Sequence, residues 1–222
     1  MQAIILCGGL GTRLKSIIKD IPKPMAPIND KPFLEFIFKY LKKQGIKEVI
    51  LALSYKYEVI QEYFKDEFLD IKIKYSIEKE ALGTGGAIKE ALRFIKNEAY
   101  VVNGDTLFEI DLSKLKLNGS KICLALKQMN DFDRYGTVNL DGQGFVISFE
   151  EKVFKKQGLI NGGIYLLNKD IFKDFTLQGK FSFEEFLQEN YEKLKARAEI
   201  FDNYFIDIGI PEDYRFFYNS QV

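Results

Sequence analysis

A buried first strand that runs straight into glycine is the firmest structural commitment in this 222-residue chain. Ala3-Ile4-Ile5-Leu6-Cys7 is an apolar run followed at once by Gly8-Gly9-Leu10-Gly11-Thr12-Arg13-Leu14. A short continuous apolar run suits a strand buried on both faces, as in parallel sheets. Glycines let backbone N–H groups approach and point at phosphate oxygens. Arg13, Lys15 and Lys23 follow. Arginine adds a planar fork for phosphate and lysine a mobile point charge. The stretch points to a polyphosphate held against the end of a first strand.

Two glycine loops of known mechanics fit less well. A P-loop needs Gly-Lys-Ser/Thr, and no such tripeptide occurs here. A dinucleotide fingerprint needs a third glycine where Leu14 stands, and an acidic end to the second strand, which instead ends at Ser54. A strand-to-helix turn without any ligand accounts for the glycines but not for the cations beside them.

Periodicity extends the pattern. Asn29-Asp30-Lys31-Pro32 reads as a turn and helix start, with proline at the first helical position and helical spacing up to Gly45. Strands are predicted near Glu48–Leu53, Ile71–Tyr75 and Tyr100–Val102. Helices are predicted near Tyr57–Phe64 and from Gly83-Thr84-Gly85-Gly86 onward. The β-α-β-α-β-α-β order predicts an α/β fold, a Rossmann-like three-layer sandwich with a mainly parallel central sheet. From about Ile122 the chain becomes β-rich. Strands are expected near 122–128, 136–140, 145–151 and 159–167, with a hairpin turn at Asp141-Gly142. Ser182 opens a helix to about Leu194, a strand follows near Tyr204–Ile206, and Pro211 starts a last helix. The expectation is a single domain over 1–222, with a first half of about 1–120 and a smaller β-rich half of about 121–222.

Composition removes several chemistries. Lys+Arg and Asp+Glu are both 32, which argues against a general nucleic-acid binder. There is no histidine, so histidine acid–base catalysis and histidine metal sites are excluded, and any metal must be oxygen-ligated. Cys7 and Cys123 sit in apolar runs and read as core residues. No run approaches a membrane span and Met1 leads directly into a strand, so a cytoplasmic location without membrane partners is expected.

Gly8-Gly9-Leu10-Gly11-Thr12-Arg13-Leu14 with Pro22-Lys23-Pro24-Met25 closely resembles the signature of sugar-1-phosphate nucleotidyltransferases. The resemblance covers essentially the whole chain. It implies a loop of Leu6, Gly8, Gly9, Gly11, Thr12 and Arg13 over a nucleoside triphosphate, with Arg13 on the phosphates and Lys23 near the reacting phosphorus. Asp105, in Asn103-Gly104-Asp105, and Asp207, before Ile208-Gly209, each follow an apolar strand. Two strand-end carboxylates can share one magnesium ion, and the family uses this pair as metal ligands. Glu151-Lys152 resembles the Glu-Lys that binds sugar hydroxyls and the sugar's phosphate, although Val153 stands where the family usually has proline. Arg134-Tyr135-Gly136 and Asn161-Gly162-Gly163-Ile164-Tyr165 resemble sugar-pocket segments, so the resemblance implies a nucleotide-binding half over about 1–120 and a sugar-phosphate-binding half over about 121–222. The base is expected near Gly83 and Thr84. There Glu78 can accept from both N1–H and N2–H of guanine, an edge that uracil and thymine lack, and Glu80 competes for the role.

The implied reaction is attack of a sugar 1-phosphate oxygen on the α-phosphorus, with pyrophosphate leaving. Arg13, Lys23 and Asp105 are the expected catalytic residues, magnesium the cofactor and GTP the preferred nucleotide. Gly83-Thr84-Gly85-Gly86, Asn161-Gly162-Gly163 and the compact length look closest to guanylyltransferases acting on D-glycero-α-D-manno-heptose 1-phosphate, which make GDP-heptose for cell-surface polysaccharide. Mannose-1-phosphate guanylyltransferases and uridylyl- or thymidylyltransferases of the same fold are the neighbouring readings. A homodimer is the default expectation for assembly. An NAD(P)-dependent oxidoreductase and a non-catalytic nucleotide-sensing subunit remain as readings from other classes.

Overall fold

The computed structural model describes residues 1–9, 14 and 21–221. In chain order the elements are β1 (Gln2–Leu6), β2 (Pro27–Ile28), β3 (Lys31–Pro32), α1 (Phe33–Lys43), β4 (Glu48–Leu53), α2 (Tyr57–Phe64), β5 (Glu67–Phe68), β6 (Ile71–Ile77), α3 (Gly83–Ala91), β7 (Glu98–Asn103) and β8 (Thr106–Phe108). They continue with β9 (Ile122–Phe132), β10 (Thr137–Leu140), β11 (Val146–Glu150), β12 (Lys155–Asn168), α4 (Phe183–Asn190), β13 (Arg197–Phe201), β14 (Phe205–Asp207) and α5 (Pro211–Ser220).

The main sheet runs β5-β6-β4-β1-β7-β12-β10-β11, with β9 paired to β12 and β13 to β9. β6, β4, β1 and β7 are mutually parallel. Their order is third, second, first, fourth along the chain, so the winding reverses between β1 and β7. A crevice opens at the carboxyl ends of strands where the order reverses, and ligands of such sheets bind there.

Successive side chains of β1 point to opposite faces. Ala3, Ile5 and Cys7 enter a core layer shared with α1, α2 and α5, while Ile4 enters a second layer shared with α3 and α4. Helices thus cover both faces of a mainly parallel sheet. In the first layer the buried Tyr40 hydroxyl of α1 donates to the Ile110 carbonyl at 3.0 Å. Tyr40→Phe leaves that carbonyl without its partner and is expected to lower stability by about 1–2 kcal/mol, read from urea unfolding midpoints at unchanged m.

Several local expectations are corrected. Pro32 is not the first helical residue; its extended backbone (ψ 148°) closes the small β2–β3 pair, and α1 begins at Phe33. β10 and β11 form the hairpin expected at Asp141-Gly142, through a connection longer than two residues. Asp141 Oδ1 accepts from the backbone N–H of Gln143 and of Phe145, and Gly144 takes the positive φ (82°). α4 ends at Asn190 rather than near Leu194. In the β-rich half β12 lies antiparallel to β7, so the main sheet continues into it. β13 joins β9 as a parallel strand that periodicity does not single out. Among the described residues no helix is long and apolar enough to cross a membrane.

Candidate active site

Four parallel strands deliver their following residues to one crevice. A cavity of about 280 Å³ is lined by Leu6 at the end of β1 with Gly8 and Gly9 after it, Ser54 after β4, Glu78 after β6, Asn103 at the end of β7 with Asp105 after it, and Gly83 and Thr84 at the start of α3. Ser54, marked in the sequence only as the end of the second strand, donates its hydroxyl to the Gly8 carbonyl at 2.9 Å and so tethers the glycine turn to β4. A solitary serine at a parallel strand's carboxyl end was the available signal. Arg13, Gly11, Thr12 and Lys15 lie outside the described residues.

Glu78 is half-buried, and burial raises its carboxyl pKa against the opposing pull of the Leu82 N–H, which donates to Oε2 at 2.9 Å. That bond anchors the side chain, while Oε1 faces Gly8. The Gly83–Gly86 turn owes its glycines to packing as well as to the cavity. Gly83 has φ +73°, and a Cβ there would stand 2.5 Å from the Phe181 carbonyl oxygen. Gly85 N–H donates to that same carbonyl, and Thr84 Oγ1 accepts from the Phe183 N–H at 2.9 Å. The start of α3 is thereby bonded to the start of α4.

Asp105 and Asp207 meet because β8 and β14, the short strands that flank them, pair antiparallel with Asp207 opposite Thr106. Ile208 N–H donates to the Asp105 carbonyl at 3.0 Å. Lys23, in a single 3₁₀ turn begun by Pro22, lies between the two carboxylates. Its Nζ is 2.5 Å from Asp105 Oδ2 and 3.6 Å from Asp207 Oδ1. Burial, then the neighbouring charge of Asp105, raises the Asp207 carboxyl pKa, and Lys23 opposes this. Among the described residues Asp207 Oδ1 is buried without a hydrogen-bond partner. A buried carboxylate oxygen with no donor is unusual, and the Lys23 ammonium 3.6 Å away offsets its charge without hydrogen-bonding to it.

A second cavity, of about 130 Å³, is lined by Tyr135, Gly136, Glu150, Glu151, Lys152 and Asn161 among others. Segments before β10, at the end of β11 and within β12 therefore border one cavity. α4 contributes Glu184, Leu187 and Gln188, one face of a helix at i, i+3 and i+4. The sequence reading recognised that helix but not that it borders a cavity. Tyr165 does not line this cavity. It is buried in the core against Phe183, and its hydroxyl accepts from Asn161 Nδ2 at 2.6 Å. Gly162 is not open either, because a Cβ there would stand 2.4 Å from the Phe108 ring. Tyr165 thus holds the Asn161 side chain, and Gly162 makes room for the Phe108 ring. Gly163 (φ +72°) packs on the Asn103 side chain, so the same β12 segment touches a residue of each cavity.

The nucleotidyl transferase family model matches residues 2–219. The chain belongs to the nucleotidyl transferase family. Among its relatives, the D-glycero-alpha-D-manno-heptose 1-phosphate guanylyltransferase of Campylobacter jejuni is 88% identical over 217 residues, covering 98% of each chain. The enzyme of the same name from Aneurinibacillus thermoaerophilus is 52% identical, covering 97% of this chain and 96% of its own. The crystal structure of HddC from Yersinia pseudotuberculosis complexed with GMP-PN matches with a TM-score of 0.86 at 39% identity, over 100% and 99% of the two chains. Within this nucleotidyl transferase the two cavities and the Lys23–Asp105–Asp207 cluster are brought together by β7, β12, β8 and β14 of the shared fold.

Proposed function

We propose that this protein is a D-glycero-α-D-manno-heptose 1-phosphate guanylyltransferase, which transfers GMP from GTP to the sugar phosphate and releases pyrophosphate. The observation that carries the reading is the 88% identity, over nearly the whole of both chains, to an enzyme of that name. The two cavities support it: one sits at the strand-end crevice, and the other joins hydroxyl-reading groups to a lysine.

In this reading GTP occupies the crevice at Gly8, Gly9, Gly83 and Thr84, with guanine at Glu78. The heptose phosphate occupies the second cavity, where Glu151 and Asn161 meet hydroxyls and Lys152 meets the phosphate. A sugar-phosphate oxygen forms the new P–O bond at the α-phosphorus as the bond to pyrophosphate breaks. The attacking phosphate is already ionised, so no residue needs to take a proton. The chain's contribution is positioning and charge neutralisation, in which Lys23 offsets charge at the phosphates.

Asp105 and Asp207 fit magnesium, since both offer hard oxygens and, among the described residues, no donor bonds Asp207 Oδ1. When bound, magnesium would neutralise phosphate charge beside these carboxylates.

Magnesium-dependent pyrophosphate release across four nucleoside triphosphates and several sugar 1-phosphates tests the assignment. Release with GTP and the heptose 1-phosphate is expected, and silence toward that pair would overturn it. Glu78→Gln is expected to lower kcat/KM for GTP by about tenfold or more, because the amide presents N–H groups toward guanine donors, while other nucleotides lose little. An unchanged preference for GTP would move base reading to Glu80 or to the backbone.

A further inference from the structure

We propose that Arg134 and Asp213 form a positioning pair that fixes Tyr135 in the second cavity and so sets affinity for the sugar 1-phosphate. The identity of that ligand rests on the reading above.

Tyr135 lies in the connection between β9 and β10, outside any strand ladder. Its place must come from side chains and close packing. On one side Gly136 is pressed against β11, where a Cβ would stand 2.6 Å from the Glu150 carbonyl oxygen. On the other side Arg134 Nη2 donates to Asp213 Oδ2 at 2.7 Å, in the first turn of α5. The Arg134 guanidinium lies 5.5 Å from the centre of the Tyr135 ring, and the ring's edge contacts Phe205 of β14, 6.1 Å centre to centre. Arginine suits this place because one flat group can stack on a ring and bond a carboxylate in its plane. α5 is itself anchored by the Tyr214 hydroxyl, which donates to the Pro27 carbonyl close to the Lys23 turn. The pair therefore ties a wall of the second cavity to the same helix that braces the Lys23 side.

The ion pair is partly exposed, with side chains 43% and 24% accessible, so its direct effect on global stability is small. A merely structural role would leave substrate constants untouched. Pyrophosphate release with GTP and the heptose 1-phosphate is measured for wild type, Asp213→Ala and Arg134→Lys, alongside amide hydrogen exchange over 133–136. In Asp213→Ala the KM for the sugar phosphate is expected to rise about tenfold, the KM for GTP to stay within about twofold, and exchange over 133–136 to quicken. Arg134→Lys keeps the charge but loses the flat stacking face, and it should fall between. It also carries the test if Asp213→Ala does not fold. Unchanged sugar KM, or an equal rise in both constants, overturns the proposal. A wild type silent toward every sugar 1-phosphate overturns the functional reading alone, because slow exchange retained in Asp213→Ala would still reject the pair and faster exchange would uphold its hold on Tyr135.

Discussion

Asp105→Asn is expected to reduce kcat for pyrophosphate release by about 10²–10³-fold while the melting temperature stays within a few degrees. The amide keeps the shape of the carboxylate. Its oxygen can still accept from Thr106 Oγ1, as Asp105 Oδ1 does at 3.2 Å. The packing of β8 on β14 is carried by backbone hydrogen bonds and by Ile206 and Leu107, which the substitution does not touch. What disappears is negative charge at the atom 2.5 Å from Lys23 Nζ, and with it the carboxylate proposed to hold magnesium with Asp207. Turnover at saturating GTP and sugar phosphate, with a thermal melt of the same sample, checks this. Near-normal turnover would remove Asp105 from the reaction.

Lys23→Met is expected to cost both activity and stability. Two carboxylates, Asp105 and Asp207, would face one another without the cation between them. The loss of a charge-assisted hydrogen bond, discounted because both carboxylates are about a third exposed, predicts destabilisation of about 1–2 kcal/mol at neutral pH. The sign of the pH dependence follows from Asp207. Burial and the neighbouring Asp105 already raise its carboxyl, and removing Lys23 takes away an opposing influence. A carboxyl raised in the folded state binds its proton more readily there than in the unfolded chain. The deficit should therefore narrow as pH falls through the folded-state pKa. Turnover is expected to fall about 10²-fold, with Lys23→Arg retaining stability better than Met. A stability deficit that grows toward acid pH would contradict the assigned geometry.

Much of the fold was legible because its parts are periodic and local. β4 and α2 fall where apolar spacing puts them, and the early alternation of strand and helix leaves little choice but a parallel sheet with helices on both faces. What was not legible was pairing across distance. β13 is five residues whose place beside β9 depends on partners some 75 positions away, and β8 is a three-residue strand that exists because β14 lies against it. The length of β12 was underestimated because its N-terminal half mixes polar residues with the apolar ones that periodicity follows.

The candidate site divides in the same way. Residue types marked Gly8, Lys23, Asp105 and Asp207, because glycine beside cations and carboxylates at strand ends have few other uses in such a sheet, whereas Glu78 and Lys152 took their roles from the family resemblance. Only the tertiary structure decided that Lys23 stands between Asp105 and Asp207, that Tyr165 and Gly162 are packed inward, and that Ser54, Glu184 and Gln188 border the cavities. The physical reason is that a motif specifies chemistry through residue type, whereas facing a ligand depends on which side of a strand, bulge or helix is left uncovered. That is settled by packing against chain segments distant in sequence, as Phe108 settles it for Gly162.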